Sequence, residues 1–165
     1  MEVVATSLIA VLGTLLGSLL THLFQRRTAL HTERFTRGER LRQERVEAYG
    51  TFAGALANYR RGQMDYWFAR ERGRLAEGET LHEVRREAQR LRATALEAMF
   101  RAEMLTPSPA LDAAGRDALR AVDRISSASD QDELQPARED SRTAIYHLAA
   151  ASRRHIPGLT DPGNT

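Results

Sequence analysis

The chain has 165 residues, 42% of them hydrophobic and 6% aromatic, with a formal net charge of +2. It contains no cysteine, which excludes disulfides, thiolate nucleophiles and zinc–thiolate sites together. All 24 basic residues are arginine, the composition that a GC-rich genome produces, and every positive charge is therefore a guanidinium fork suited to carboxylate or phosphate.

Charge is unevenly spread. Residues 25–61 carry nine arginines against four glutamates, whereas residues 105–140 carry four arginines against eight acids. A basic neck thus precedes an acidic distal part. Alanine, leucine, arginine and glutamate dominate, and all four favour helix because they lose little side-chain entropy in it.

In chain order, Val3 to Phe24 comes first: 22 residues with no charged side chain unless His22 protonates, bracketed by Glu2 and Arg26–Arg27. As a helix it would reach about 33 Å, the thickness of a bilayer hydrocarbon core. A secretory signal would place its basic residues before the apolar run and an Ala-x-Ala-like site after it, and neither is present. A core helix this apolar at one end of a chain is the other reading. Length and flanks favour an uncleaved transmembrane anchor over residues 1–25.

Arg26, Arg27, Arg34, Arg37, Arg40, Arg42 and Arg45 follow the stretch, and the other flank has no arginine. The positive-inside rule then predicts a single-pass protein of the cell membrane, with its amino terminus outside and its C-terminal domain cytoplasmic. Gly13 and Gly17 continue to Thr21 at a spacing of four, a flat stripe along which two spanning helices can approach. These three residues are candidates for a helix–helix interface and hence for homo-oligomerisation.

Residues 26–45 are polar nearly all round, with Phe35 and Leu41 as the main exceptions, and read as a basic juxtamembrane helix. Arg26, Arg27, Arg34 and Arg37 are candidates for lipid headgroups, although setting topology alone would explain them. Nucleic acid is a weaker alternative, because glutamates interleave the arginines. Gly38 is the expected joint if the helix breaks.

From Val46 the pattern becomes amphipathic: Val46, Tyr49, Phe52, Ala53, Leu56 and Tyr59 recur at three and four, predicting a helix to about Arg72. Gly50 and Gly54 repeat the small-residue spacing and complete the candidate helix–helix interface. Met64, Tyr66, Trp67 and Phe68 form an aromatic cluster expected to cap one end of a bundle. Arg72–Gly73 and Glu77–Gly78 bracket a loop, and Thr80 with Glu83 forms a capping box for the next helix. That helix is expected to bury Leu81, Val84, Ala88, Leu91, Ala95, Ala98 and Ala102, with Leu96, Met99, Phe100 and Met104 widening its apolar side, and to stop near Leu105.

Ser108 and Pro109 read as N-cap and first residue of a third helix, about Ala110 to Ser126. Its outer face alternates Asp112, Arg116, Asp117, Arg120, Asp123 and Arg124, a solvated charged surface. Ser126 to Gln135 reads as a polar acidic loop. A last helix is expected to begin around Pro136, run to about His155 and bury Ala137, Ser141, Ala144, Ile145, Leu148 and Ala151. Residues 157–165 read as a disordered tail.

The predicted fold is therefore all-α: an N-terminal single transmembrane helix followed by a cytoplasmic antiparallel four-helix bundle over residues 46–156. No catalytic, cofactor or metal site is identified. The one Glu-x-x-His match, Glu79 with His82, straddles a helix cap and has no second copy. His147 beside Tyr146 lies six residues from Ser141, on another face of the same helix. Phosphate-loop, His-Glu-x-x-His and Gly-x-Ser-x-Gly motifs are absent.

The stretches GTLLGSLLTHLFQRR, ERFTRGERLRQERVEAYGTFAGAL and YRR resemble small single-span actinobacterial membrane proteins of KilB type. The resemblance covers about the first 60 residues. It implies a membrane protein linked to plasmid transfer or spread between mycelial compartments, with no site residues to carry over. The functional expectation is a non-enzymatic, membrane-tethered helical module that oligomerises or recruits a cytoplasmic protein partner. The alternatives are a membrane-disrupting protein of holin or toxin type, and binding of anionic lipid or nucleic acid by the arginine-rich neck.

Overall fold

A run of alanine, leucine and arginine broken only by Gly-, Pro- and Ser-containing turns folds as helix throughout. The computed structural model describes the backbone of residues 2–156 and the side chains of residues 35–156, and among these there is no strand. The elements are α1 (Glu2–Arg72), α2 (Leu81–Leu105), α3 (Pro109–Asp123), a 3₁₀ turn (Arg124–Ser127) and α4 (Gln131–His155). The chain divides into two units, Met1–Leu41 and Arg42–Thr165. In the first, only the helical backbone and the side chains from Phe35 onward are described, and Phe35 is exposed. Gly38, the expected joint, lies inside α1.

Among the described residues, no helix is long and apolar enough to cross a membrane. The side chains of Val3 to Phe24, on which the expected span rests, lie outside the described residues. The structure thus lends the span no support of its own, and the expected tail at 157–165 also lies outside it.

The second unit holds the bundle. Arg45 Nε donates to the Leu105 carbonyl at 2.8 Å and Glu47 pairs with Arg101, so α2 returns beside α1 in the opposite sense. Phe52 meets Gly115 and Tyr59 meets Asp123, so α3 runs with α1. Arg60 Nε donates to Ser141 Oγ at 3.0 Å, while Val46 and Tyr49 share a groove with Leu148 and Ile156, so α4 runs back again. The order is up–down–up–down, as short connections require.

Local chemistry sets most helix ends. Thr80 Oγ1 accepts from the Glu83 amide at 3.3 Å and Glu83 Oε2 accepts from the Thr80 amide at 2.8 Å, the predicted capping box. Gly73 (φ 60°) and Gly78 (φ 79°) turn the chain between α1 and α2 in a conformation that side chains disfavour. Ser108 caps α3 with Pro109 in its first turn.

Two boundaries differ from expectation. The third helix ends at Asp123 and tightens into the 3₁₀ turn, where Ser126 Oγ donates to the Asp123 carbonyl. Ile125 is thereby buried completely. The last helix starts at Gln131, five residues before Pro136, which lies inside it. Asp130 Oδ1 accepts from the Glu133 amide at 2.9 Å, and Glu133 Oε2 accepts from the Ser129 amide at 2.8 Å. These caps, with burial of Leu134, outweigh the amide bond that Pro136 forgoes.

The core is built largely from alanine. Ala48, Ala55, Ala95, Ala98, Ala102, Ala114, Ala118 and Ala151 interleave with Tyr49, Phe52, Leu56, Tyr59, Leu111 and Leu148. Small side chains let four helices approach closely around a few large ones. Expected core positions that instead face solvent include Val46, 39% exposed, Phe100, 54%, and Met104, 79%. Leu81 is also exposed. The inward stripe of α1 is rotated by one or two positions, through Ala48 and Ala55, because that helix meets three neighbours. A second cluster closes the far end: Trp67, Ile125, Ala128 and Leu134, flanked by Met64 and Phe68. Trp67 stacks edge-on against Phe68 with centroids 5.1 Å apart, and its Nε1 donates to the Ala128 carbonyl at 2.8 Å. The expected aromatic end cap is therefore present, with Tyr66 turned aside from it.

Candidate functional site

Gly13, Gly17, Thr21, Arg26, Arg27 and Arg34 lie on the helical backbone of α1, with side chains outside the described residues. Arg37 is exposed. Gly50 and Gly54 are also exposed, and a Cβ added to either would meet nothing within 4 Å. They therefore serve no close approach inside this bundle and present open surface. Beside Gly50, a groove of about 310 Å³ runs between α1 (Val46, Ala53) and α4 (Leu148, Ala149).

The close approaches occur at two other glycines. A Cβ on Gly62 would stand 2.6 Å from Leu91 Cδ1, and one on Gly115 would stand 3.1 Å from Phe52 Cε1. Neither was singled out from the sequence: each falls on the buried face of its helix, but the approach itself is made by side chains of other helices.

The densest polar cluster lies where α1, α2 and the end of α3 meet. Tyr59, 1% exposed, donates its hydroxyl proton to Asp123 Oδ1 at 2.5 Å and accepts from Gln63 Nε2 at 2.5 Å. From α2, Arg92 Nε reaches Asp123 Oδ1 at 3.0 Å and its Nη2 reaches Oδ2 at 3.4 Å. Burial, then the facing Asp123 carboxylate, pushes the Tyr59 phenol well above its ordinary value. The Asp123 bond raises the Arg92 guanidinium. The phenol thus stays a proton donor and ties three helices together. Asp123, expected on the solvated face of α3, is half-buried in this cluster, and Asp112 is half-buried beside Arg116 with its Oδ1 enclosed, while Arg116, Asp117 and Arg120 stay exposed.

Above the cluster, α2 and α3 part into a cleft of about 380 Å³, within the range of small-ligand sites. Its floor is Tyr59 and Gln63. Arg85, Gln89 and Arg92 line one wall, and Tyr66 and Arg70 close its end. Arg70 donates through Nη1 to the Ser126 carbonyl at 2.8 Å and through Nη2 to that of Ala128 at 3.0 Å, capping the end of α3 and the 3₁₀ turn.

The residues weighed for catalysis are not brought together. Ser141 is fully buried, donating to the Arg138 carbonyl at 2.9 Å and accepting from Arg60, whereas His147 is exposed. Burial, then the charges of Arg138 and Arg142, lowers the Arg60 guanidinium. Glu79 is a loop residue whose Oε2 accepts from the Ala76 amide at 3.1 Å. Among the described residues, no group of three His, Asp or Glu side chains converges as a metal site would require.

A family model described as KilB plasmid transfer protein matches residues 46–156. "Protein KilB" of Streptomyces lividans is 34% identical over 153 residues, covering 92% of this chain and 97% of that protein. No solved structure matches.

Proposed function

The chain belongs to the KilB plasmid transfer protein family, and from that premise we propose that it is a non-enzymatic, membrane-tethered helical assembly protein that serves plasmid transfer or spread. What supports the tether is Val3 to Phe24, the one uncharged stretch of span length, followed at once by Arg26 and Arg27. In this reading the amino terminus lies outside and residues 25–165 lie in the cytoplasm. The bundle recruits a cytoplasmic protein, and the Gly13–Gly17–Thr21 stripe pairs two copies in the bilayer. Gly50 and Gly54 offer a second small-residue surface beyond the membrane.

Carbonate extraction of cells expressing the full chain tests the tether. The protein stays in the membrane pellet, and deletion of residues 3–24 moves it to the supernatant; extraction of the intact chain would refute the anchor. Light-scattering mass in detergent tests the pairing: wild type runs above monomer mass and Gly13→Leu/Gly17→Leu runs at it. An equal mass for both would remove the stripe from the interface.

A further inference from the structure

We propose that the cleft between α2 and the end of α3 is a binding site for an oxyanion, the phosphate or carboxylate group of a small ligand. The site lies apart from the surfaces invoked for tethering and pairing. Three guanidiniums, Arg70, Arg85 and Arg92, converge on a cavity of about 380 Å³ against one lining carboxylate, Asp123. That carboxylate is already satisfied, accepting from Tyr59 and in two places from Arg92, so its charge is shared before a ligand arrives. Arg70 is held by two carbonyls and by Glu71, and contributes field more than free donors.

Arg85 and Gln89 differ. Neither makes a hydrogen bond or ion pair among the described residues, and both line the cavity. Arg85, Gln89 and Arg92 stand at i, i+4 and i+7, so one face of α2 presents them in a row. A guanidinium fork and a carboxamide donor directed into a concave, net-positive cleft match the paired oxygens of a phosphate or carboxylate. Tyr66, also without a hydrogen-bond partner among the described residues, supplies a phenol at the end of the same cleft.

The test is calorimetric titration of the detergent-solubilised full chain with inorganic phosphate and, in a separate arm, with succinate, each against chloride at matched ionic strength. Saturable binding is expected in at least one arm; phosphate alone marks a phosphoryl ligand and succinate alone a carboxylate. Arg85→Gln should weaken that binding by about tenfold, the worth of one charge-assisted pair. Arg86→Gln, which removes the same charge from the neighbouring position outside the cleft, should leave it unchanged. The proposal is overturned by the absence of saturable binding in both arms, by equal affinity of Arg85→Gln and wild type, or by equal losses in the two variants.

Discussion

The Tyr59 hydroxyl and the Asp123 carboxylate, 64 residues apart in sequence, meet at 2.5 Å and join the C-terminal part of α1 to the end of α3. The same phenolic oxygen accepts from Gln63, so one atom serves both a helix-to-helix tie and a bond within α1. Removing it while keeping the ring, as Tyr59→Phe, leaves the Gln63 amide without its acceptor in a buried site. The expected loss is about 1–3 kcal/mol of folding stability, read as a lower urea midpoint at unchanged slope. A midpoint equal to wild type would mean that the cluster is solvated.

The two buried tyrosines also set a limit in alkali. Burial raises the pKa of both Tyr49 and Tyr59 above the ordinary 10.0. The unfolded chain releases these protons from about pH 10 upward while the folded chain keeps them, so stability is complete below that pH and falls as pH rises beyond it. Absorbance titration at the phenolate band should show these two tyrosines ionising only together with loss of helical circular dichroism. Ionisation of all four tyrosines in the folded state would contradict the burial.

Leu134 tests where α4 begins. It is 1% exposed, in the helical turn before Pro136, packed with Trp67 and Ile125. Leu134→Ala should cost about 2–5 kcal/mol, as for other buried leucines. Were residues 126–135 a solvated loop, the substitution would be nearly neutral in a thermal or urea melt.

Glycine substitutions should divide by surroundings. Gly54→Ala, in an exposed helix interior with open space around it, should stabilise the bundle by about 0.5–1 kcal/mol. Gly115→Leu drives a large side chain into Phe52, itself 1% exposed, and should destabilise by about 1–3 kcal/mol. Parallel melts of the two variants shifting in the same direction would contradict the assigned packing.

The capping box gives a local prediction. Thr80→Ala removes the acceptor for the Glu83 amide and should cost about 1 kcal/mol. The Thr80 backbone amide, then its hydroxyl, holds the Glu83 carboxyl below its ordinary range. That contribution is present at neutral pH and fades as acid protonates Glu83, so the difference between Thr80→Ala and wild type should narrow on acidification. A constant difference down to low pH would mean that Glu83 does not close the box.

Features whose cause lies within a few residues were legible from sequence alone. Thr80 with Glu83, Ser108 with Pro109, and Gly73 with Gly78 mark helix starts and a turn by chemistry that operates over one helical turn. The periodicity of Tyr49, Phe52, Leu56 and Tyr59 marked a helix face, and the all-α class followed. The quoted stretches were also enough to indicate the family. By contrast, the start of α4 was hidden, because the proline signal at 136 is local and the burial of Leu134 that overrides it comes from α1 and the 3₁₀ turn. Phe100 and Met104 look like core by spacing, and only the path of the neighbouring helices leaves them outside.

What the tertiary structure alone decided is which side chains meet. Asp123 reads as one more charge on a solvated face until the end of α3 is set against α1, and then it becomes the acceptor that Tyr59 and Arg92 share. Gly62 and Gly115 become close-approach positions only when Leu91 and Phe52 arrive. Helix and turn were determined by sequence because their free energy is local; the polar cluster and the arginine-lined cleft were not, because they depend on groups that only the packing of separate helices brings within hydrogen-bond reach.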